Sequence, residues 1–363
     1  METSRFTLPL LLVSLSFFLS LSAQMTGDFK CSGSTSTCMS LVGYSSKNAT
    51  TLRNIQTLFA VKNLRSILGA NNLPLDTAPD RRVNPNQVVR IPIHCSCSNG
   101  TGVSNRDIEY TIKKDDTLYL VATEVFGGLV TYQKIADMNK IPDPSKIDVG
   151  QKFWIPLPCS CDKLKDEDVV HYAHVVKEGS SLGEIAAQFG TDNTTLAQLN
   201  GISSNTQLLA NYPLNVPLKA CSSSVRNDSL DAPLLLSNNS YAFTANTCIK
   251  CSCDASKNWT LSCEPSSQVK PSNSTWATCP PSRCEGAEGL FLGNTTTTST
   301  SSSCGPRTCA YAGYSKQTIF TVLTPTCPDS ASPGSGNYAS TFSPRFNFVM
   351  VLIQCALLCL YLL

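Results

Sequence analysis

Sixteen cysteines between Cys31 and Cys327 constrain this 363-residue chain more than any other feature. An even number of thiols at such density reads as a disulfide framework, which forms in an oxidising compartment and not in a reducing cytosol. Two more, Cys355 and Cys359, lie in an apolar C-terminal run. The spacings Cys95-Ser-Cys97, Cys159-Ser-Cys161 and Cys248-x-x-Cys251-x-Cys253 lack the second C-x-x-C or the His pair of a zinc site, so no metal is expected.

Both ends agree with that compartment. Arg5 precedes a run rich in Leu, Phe, Val and Ser from Phe6 to Leu21, closed by the small residues Ser22 and Ala23. That pattern predicts a signal peptide over residues 1–23. At the other end Phe346–Leu363 carries no charge, and no basic stop-transfer cluster follows it. Small residues around Ser335 and a polar spacer precede it, which together form a glycosylphosphatidylinositol (GPI) signal. The expectation is lipid attachment at Ser335 within 328–345, removal of the tail 346–363, and a chain on the outer face of the plasma membrane. Eight Asn-x-Ser/Thr sequons, at Asn48, Asn99, Asn193, Asn227, Asn238, Asn258, Asn273 and Asn294, fit a glycosylated surface protein.

Charge excludes other classes. The net charge is +2 and charged residues make up 15% of the chain, which supplies no basic field for nucleic acid. The three histidines, His94, His171 and His174, have no nucleophile beside them, so no catalytic residue and no cofactor is expected.

Within the cysteine framework the chain repeats itself. Three stretches end in an apolar-Pro-apolar segment that leads to a cysteine: Ile91-Pro92-Ile93, Ile155-Pro156-Leu157 and Val216-Pro217-Leu218. Each is preceded by an apolar stripe closed by an Asn, at Asn71, Asn139 and Asn200. From that Asn to the strand Pro is 21 residues in the first copy and 17 in the other two. Leu118, Val121, Ala122 and Val125 fall at i, i+3, i+4 and i+7, and Leu182, Ile185, Ala186 and Phe189 repeat those offsets, which predicts a short amphipathic helix in each copy. A β-like stretch and a polar turn come before each helix, with Asp115 or Asp116 expected to cap the first one. The unit is β-α-α-β, too small to hold a rigid core without cross-links.

This plan resembles the LysM module. Three copies joined by C-x-C spacers, then a Cys-rich segment and a GPI signal, are similar to the plant LysM-domain GPI-anchored receptor proteins, most of all to the chitin elicitor-binding proteins. The stretches that carry the resemblance are 139–147 (NKIPDPSKI) and 153–161 (FWIPLPCSC). It implies an α+β fold of three βααβ modules, at 31–95, 108–158 and 170–218, followed by a Cys-rich, β-rich module at 221–327. It also implies the pairs Cys31–Cys97, Cys38–Cys161 and Cys95–Cys159, whereas the sequence alone leaves 15 connectivities open for six cysteines. The Cys-rich region is expected to act chiefly as a spacer that lifts the modules off the membrane.

The resemblance further implies an N-acetylglucosamine polymer as ligand, held in a shallow groove between the loop after the first strand and the loop after the second helix. In the middle copy these are Lys114, Asp115, Asp116, Thr117 and Leu118, and Ile141, Pro142, Asp143, Pro144, Ser145, Lys146 and Ile147. Six Lys balance six acids over residues 110–158, as suits a neutral ligand, and this copy carries no sequon. The first copy has a longer, Pro-rich loop from Leu73 to Asn86, and the third has Tyr212-Pro213 where the second has Gln151-Lys152. Binding is therefore assigned to the middle copy. Trp154, Ile135, Met138 and Phe126 read as core. The implied partners are chitin oligosaccharides, a LysM receptor-like kinase as co-receptor, and a second copy of the chain on a long oligomer. Peptidoglycan is the alternative ligand; a wall-linked hydrolase is the alternative class, for which no catalytic domain remains after the three copies.

Overall fold

The computed structural model describes residues 27–32, 37–165, 167–203, 207–266, 271, 276–287, 289–296 and 307–325. The expected signal peptide, Ser335, the 346–363 tail, Asn273, Cys304 and Cys327 lie outside them. The first repeat consists of β2 (Thr37–Tyr44), α1 (Leu52–Leu58), α2 (Leu64–Ala70) and β5 (Val89–Ser98), with β1 (Phe29–Lys30) before it. A ribbon of β3 (Thr50–Thr51) and β4 (Arg82–Val83) is inserted into it, and β6 (Thr101–Ser104) follows it. The middle repeat consists of β7 (Glu109–Thr111), α3 (Leu118–Leu120) running into a π-turn over Val121–Val125, α4 (Tyr132–Met138) and β8 (Lys152–Trp154). The third is β9 (Val169–Val175), α5 (Leu182–Phe189), α6 (Asn193–Asn200) and β10 (Pro213–Cys221). The stripes predicted for the helices face inward: Leu118, Val121 and Ala122 are buried, as are Leu182, Ile185 and Ala186.

The repeated Asn ties each unit together. Asn139 follows α4; its Oδ1 accepts the Trp154 N–H (2.9 Å), and its Nδ2 donates to the Trp154 carbonyl (2.8 Å) and to the Ile135 carbonyl (2.8 Å). Asn71 does the same with Arg90 and Ile67 (2.9, 2.7 and 2.7 Å). Asn200 repeats it with Asn215 and Leu196 at 2.8 Å throughout. One carboxamide thus adds a second donor to a helix-end carbonyl, which in the first two repeats already accepts the N–H of the same Asn, and presents to the last strand the donor and acceptor of a neighbouring strand.

The first and third repeats share one sheet, with strand order β1-β6-β5-β2-β9-β10-β11, where β11 is Leu236–Ser237. The seam is a parallel pairing of β2 with β9, Leu41 opposite Tyr172 and Val42 opposite Ala173, reinforced by the Ser40 hydroxyl donating to the His171 carbonyl (2.7 Å). The middle repeat stays a separate ribbon, β7 with β8, and joins the first through side chains. Tyr44, Phe59, Phe126 and Tyr110 form an edge-to-face chain with centroids 5.0, 5.7 and 6.1 Å apart. Three disulfides, Cys31–Cys97, Cys38–Cys161 and Cys95–Cys159, close this arrangement. Cys95 and Cys97 are two residues apart on β5, so both sulfurs leave the same face of the strand. The sulfurs of Cys31, Cys97 and Cys161 lie within 4.8 Å of one another, but each is half of a disulfide and offers no thiolate to a metal.

The Cys-rich region is a folded, sheet-containing unit. It forms a three-stranded sheet of β12 (Ser240–Thr244), β13 (Ile249–Cys253) and β14 (Ser262–Pro265), and a hairpin of β15 (Arg307–Tyr314) and β16 (Ile319–Pro325). Disulfides Cys221–Cys253, Cys248–Cys279, Cys251–Cys263 and Cys284–Cys309 hold it. The carboxylate of Asp231 accepts from the hydroxyls of Ser229, Thr244 and Tyr311, fastening hairpin to sheet. This unit packs on the first repeat: Tyr241 is buried in that repeat's core and its hydroxyl donates to the Leu73 carbonyl (2.6 Å). Contact is so close that a Cβ at Gly69 on α2 would overlap the Tyr241 carbonyl oxygen.

Two outcomes are expected. Asn139→Ala removes three hydrogen bonds and leaves the Trp154 main chain unpaired, a loss of about 2–4 kcal/mol in denaturant unfolding; a loss below about 1 kcal/mol would show that the bracket is dispensable. Gly69→Ala should raise amide hydrogen exchange over 240–253 while leaving 109–154 as protected as before.

Candidate ligand-binding groove

The two loops predicted to form the groove are preorganised by their own side chains. In the first, Asp115 takes a left-handed conformation (φ 68°), which Asp and Asn tolerate better than most residues. Asp116 accepts from the Lys113 N–H (2.7 Å) and the Tyr110 hydroxyl (2.9 Å). The cap of the following helix is therefore not an Asp, as the sequence suggested, but Thr117, whose hydroxyl accepts the Leu120 N–H (3.1 Å) from an extended backbone. Burial and the adjacent Asp116 carboxylate push the Tyr110 phenol up to about 12. Leu118 is 1% exposed, so its side chain belongs to the core and only its main chain is available to a ligand.

In the second loop, Asp143 forms an Asx turn, accepting from the Ser145 N–H (3.0 Å) and hydroxyl (2.6 Å). Lys146 Nζ lies 3.2 Å from the other carboxylate oxygen. Flanking Pro142 and Pro144 limit the alternatives open to the unbound loop. Ile141 and Ile147 are half-buried, resting on the core with part of each side chain outside, while Pro142, Ser145 and Lys146 are exposed. Trp154 is 8% exposed, its Nε1–H donating to the Asn105 carbonyl (3.0 Å), and is core rather than a stacking platform. Sequence reasoning passed over Tyr119, Leu120 and Val149, which are 59%, 40% and 67% exposed and add apolar surface to this repeat. Tyr119 and Leu120 fall off the i, i+3, i+4 stripe, a signal that was available.

Among the described residues no hydrogen bond joins 113–118 to 139–148. The first repeat is different. Its long loop folds back and pairs with the opposite wall, Thr50 with Val83 and Thr51 with Arg82. The Arg53 N–H donates to the Pro79 carbonyl (2.8 Å), and Arg53 pairs with Asp80 (2.8 Å). The extra residues have zipped that groove shut. A cavity of about 590 Å³ lies elsewhere, between Met39, Leu41 and His94 of the sheet and Leu230–Leu236 of the Cys-rich region. It borders neither loop of the middle repeat. Of the sequon asparagines, Asn48, Asn99, Asn193, Asn227, Asn258 and Asn294 are exposed and Asn238 is half-buried.

Hydrogen bonds from Ser145 and the Lys146 ammonium hold the Asp143 carboxyl below its ordinary 3.8. A depressed carboxyl stabilises the fold above the unfolded value and ceases to do so as pH falls through the folded one. Hydrogen exchange over 142–147 should thus be insensitive to pH between 7 and 5, once corrected for intrinsic rates, and accelerate only below the carboxylate range. Asp143→Ala should remove that acid step; its persistence would assign the step to another group.

Comparison with known proteins agrees with this architecture. Residues 104–157 match the NFP LysM2 domain family and residues 174–217 the LysM domain family. The chain is 78% identical over 365 aligned positions to LysM domain-containing GPI-anchored protein 2 of Arabidopsis thaliana, covering 100% of both. It is 40% identical to the chitin elicitor-binding protein of Oryza sativa subsp. japonica, covering 82% of this chain and 80% of the relative. Among solved structures, the ectodomain of a receptor like kinase aligns at 22% identity with a TM-score of 0.43, over 52% of this chain and 94% of that one. The chain thus belongs to the family of LysM domain-containing GPI-anchored proteins.

Proposed function

We propose that this protein is a GPI-anchored receptor on the extracellular face of the plasma membrane that binds chitin oligomers in the groove of its middle LysM module. The observation that carries the reading is the pair of loops: each is preordered by its own side chains, Ile141 and Ile147 rest on the core with part of each side chain outside, and the module over 110–158 carries no net charge. A neutral sugar chain needs main-chain donors and acceptors for its acetamides and hydroxyls, with an apolar contact for the acetyl methyl. A rice relative bearing the name chitin elicitor-binding protein supports the choice of ligand. The residues assigned to contact are Lys114, Asp115 and Thr117, the main chain of Leu118, and 141–147, with Asp116 positioning the first wall.

A lipid-anchored chain acts through a partner that crosses the membrane, and a LysM receptor kinase bridged by the same oligomer is the assigned one, in the service of innate immunity. Retaining hydrolysis needs a pair of carboxyl groups about 5 Å apart across a bond, whereas Asp116 and Asp143 are both engaged in ordering their own loops.

The test is calorimetric titration of the glycosylated full-length chain in detergent with a chitin octamer and, separately, with a soluble peptidoglycan fragment. Heat with the octamer, lost at least tenfold in affinity in Ile147→Lys with unfolding unchanged, is the expected result. Heat with peptidoglycan alone would reassign the ligand, and silence with both would remove the reading.

A further inference from the structure

We infer that the Cys38–Cys161 disulfide is a thiol-reactive site, opened by a low-molecular-weight thiol and resolved by internal exchange with Cys31–Cys97. Three disulfides close the arrangement of the repeats, but they are not equally buried. Cys31, Cys95, Cys97 and Cys159 are buried, whereas Cys38 and Cys161 are half-buried. A thiolate must reach a sulfur to exchange with it, and exposed disulfides are the labile ones. Of the three bonds, Cys38–Cys161 is therefore the one met first from solvent.

Cys161 is also where the three bonds meet. Its sulfur lies within 4.8 Å of those of Cys31 and Cys97 and, in a second group, within 4.8 Å of those of Cys38 and Cys95. A thiolate freed on Cys161 thus has another disulfide within reach. The leaving group is prepared as well: Cys31 Sγ accepts the Cys161 N–H (3.3 Å) and the Ser160 hydroxyl (3.7 Å). Such donors stabilise a forming thiolate, and the better-stabilised thiolate leaves faster. They favour attack on Cys97 with departure of Cys31.

The exchange balances without net oxidation. The incoming thiol loses its proton, and its sulfur bonds to Cys38 Sγ; the Cys38–Cys161 bond breaks and its electron pair leaves on Cys161 Sγ. That thiolate bonds to Cys97 Sγ, the Cys31–Cys97 bond breaks, and Cys31 Sγ takes the electron pair and a proton. One thiol enters and one thiol, Cys31, is left, with Cys38 in a mixed disulfide and a new Cys97–Cys161 bond. Before exchange the segment after β8 is fastened to β2; afterwards it is fastened to the end of β5, and Cys95–Cys159 is untouched. The first and middle repeats therefore stay cross-linked throughout. What is released is β1, which pairs with β6 only at Phe29 and Lys30 and loses the covalent tie through Cys31.

The test uses the full-length chain in detergent, with reduced glutathione as the probe, an alkylating quench, and mass-spectrometric mapping of the cysteines. The expected products are glutathione on Cys38, a Cys97–Cys161 link and alkylated Cys31, formed before any change at Cys95–Cys159 or at the disulfides of the Cys-rich region. Amide hydrogen exchange should rise at 29–31 and stay unchanged over 109–154. Ser160→Ala, which removes a donor from the leaving sulfur, should take up glutathione at Cys38 as before but raise the ratio of alkylated Cys161 to alkylated Cys31 about threefold. An unchanged ratio would overturn the role given to Cys31 as leaving group. Alkylated Cys161 beside an intact Cys31–Cys97, or a Cys95–Cys161 link, would overturn the exchange. Earlier opening of another disulfide, or no adduct at glutathione concentrations that leave the fold intact, would overturn the site itself.

Discussion

A carboxamide at the end of the second helix holds each module together. Two short strands and two helices of three to eight residues bury too little apolar surface to fix their own geometry. The bracketing Asn supplies in three hydrogen bonds what a longer sheet would supply in many. It anchors the closing strand to the helix, and thereby sets where the loop between them must start and end. In the middle module that loop is the second wall of the proposed groove. Asn71, Asn139 and Asn200 thus hold three loops of different composition, the first longer than the other two, at the same two points.

What the loops do between those points differs. In the first module the added residues are consumed in pairing with the opposite wall, and Tyr241 of the Cys-rich unit fastens Leu73 from outside. That module has become scaffold: it lends β2 to the third module's sheet, its aromatic core to the middle module, and α2 to the Cys-rich unit. A scaffold of this kind answers a problem of size, because no single module could stay rigid alone, and the disulfides Cys38–Cys161 and Cys95–Cys159 make the sharing permanent.

Rigidity also explains the chemistry of the groove. Its polar side chains are spent on order rather than on charge: Asp116 on Tyr110 and Lys113, Thr117 on Leu120, Asp143 on Ser145 and Lys146. A ligand without charge gains little from a field and much from walls that need no rearrangement.

The βααβ unit, the apolar helix faces and the burial of Trp154 were legible in the amino-acid sequence, because each follows from local periodicity or from a fixed spacing, and the α+β class followed from the family resemblance. So was the recurrence of the Asn, although not its task. The cap at Thr117 was misread because Asp115, Asp116 and Thr117 are all good cap residues, and the left-handed turn at Asp115 decides among them. The β2–β9 seam, the pairing of the first repeat's long loop with its opposite wall and the docking of the Cys-rich unit came from tertiary structure. Each is a contact between segments that are not neighbours in the chain. Local pattern fixes which face of an element is apolar; which apolar face meets which is settled by the packing of the whole.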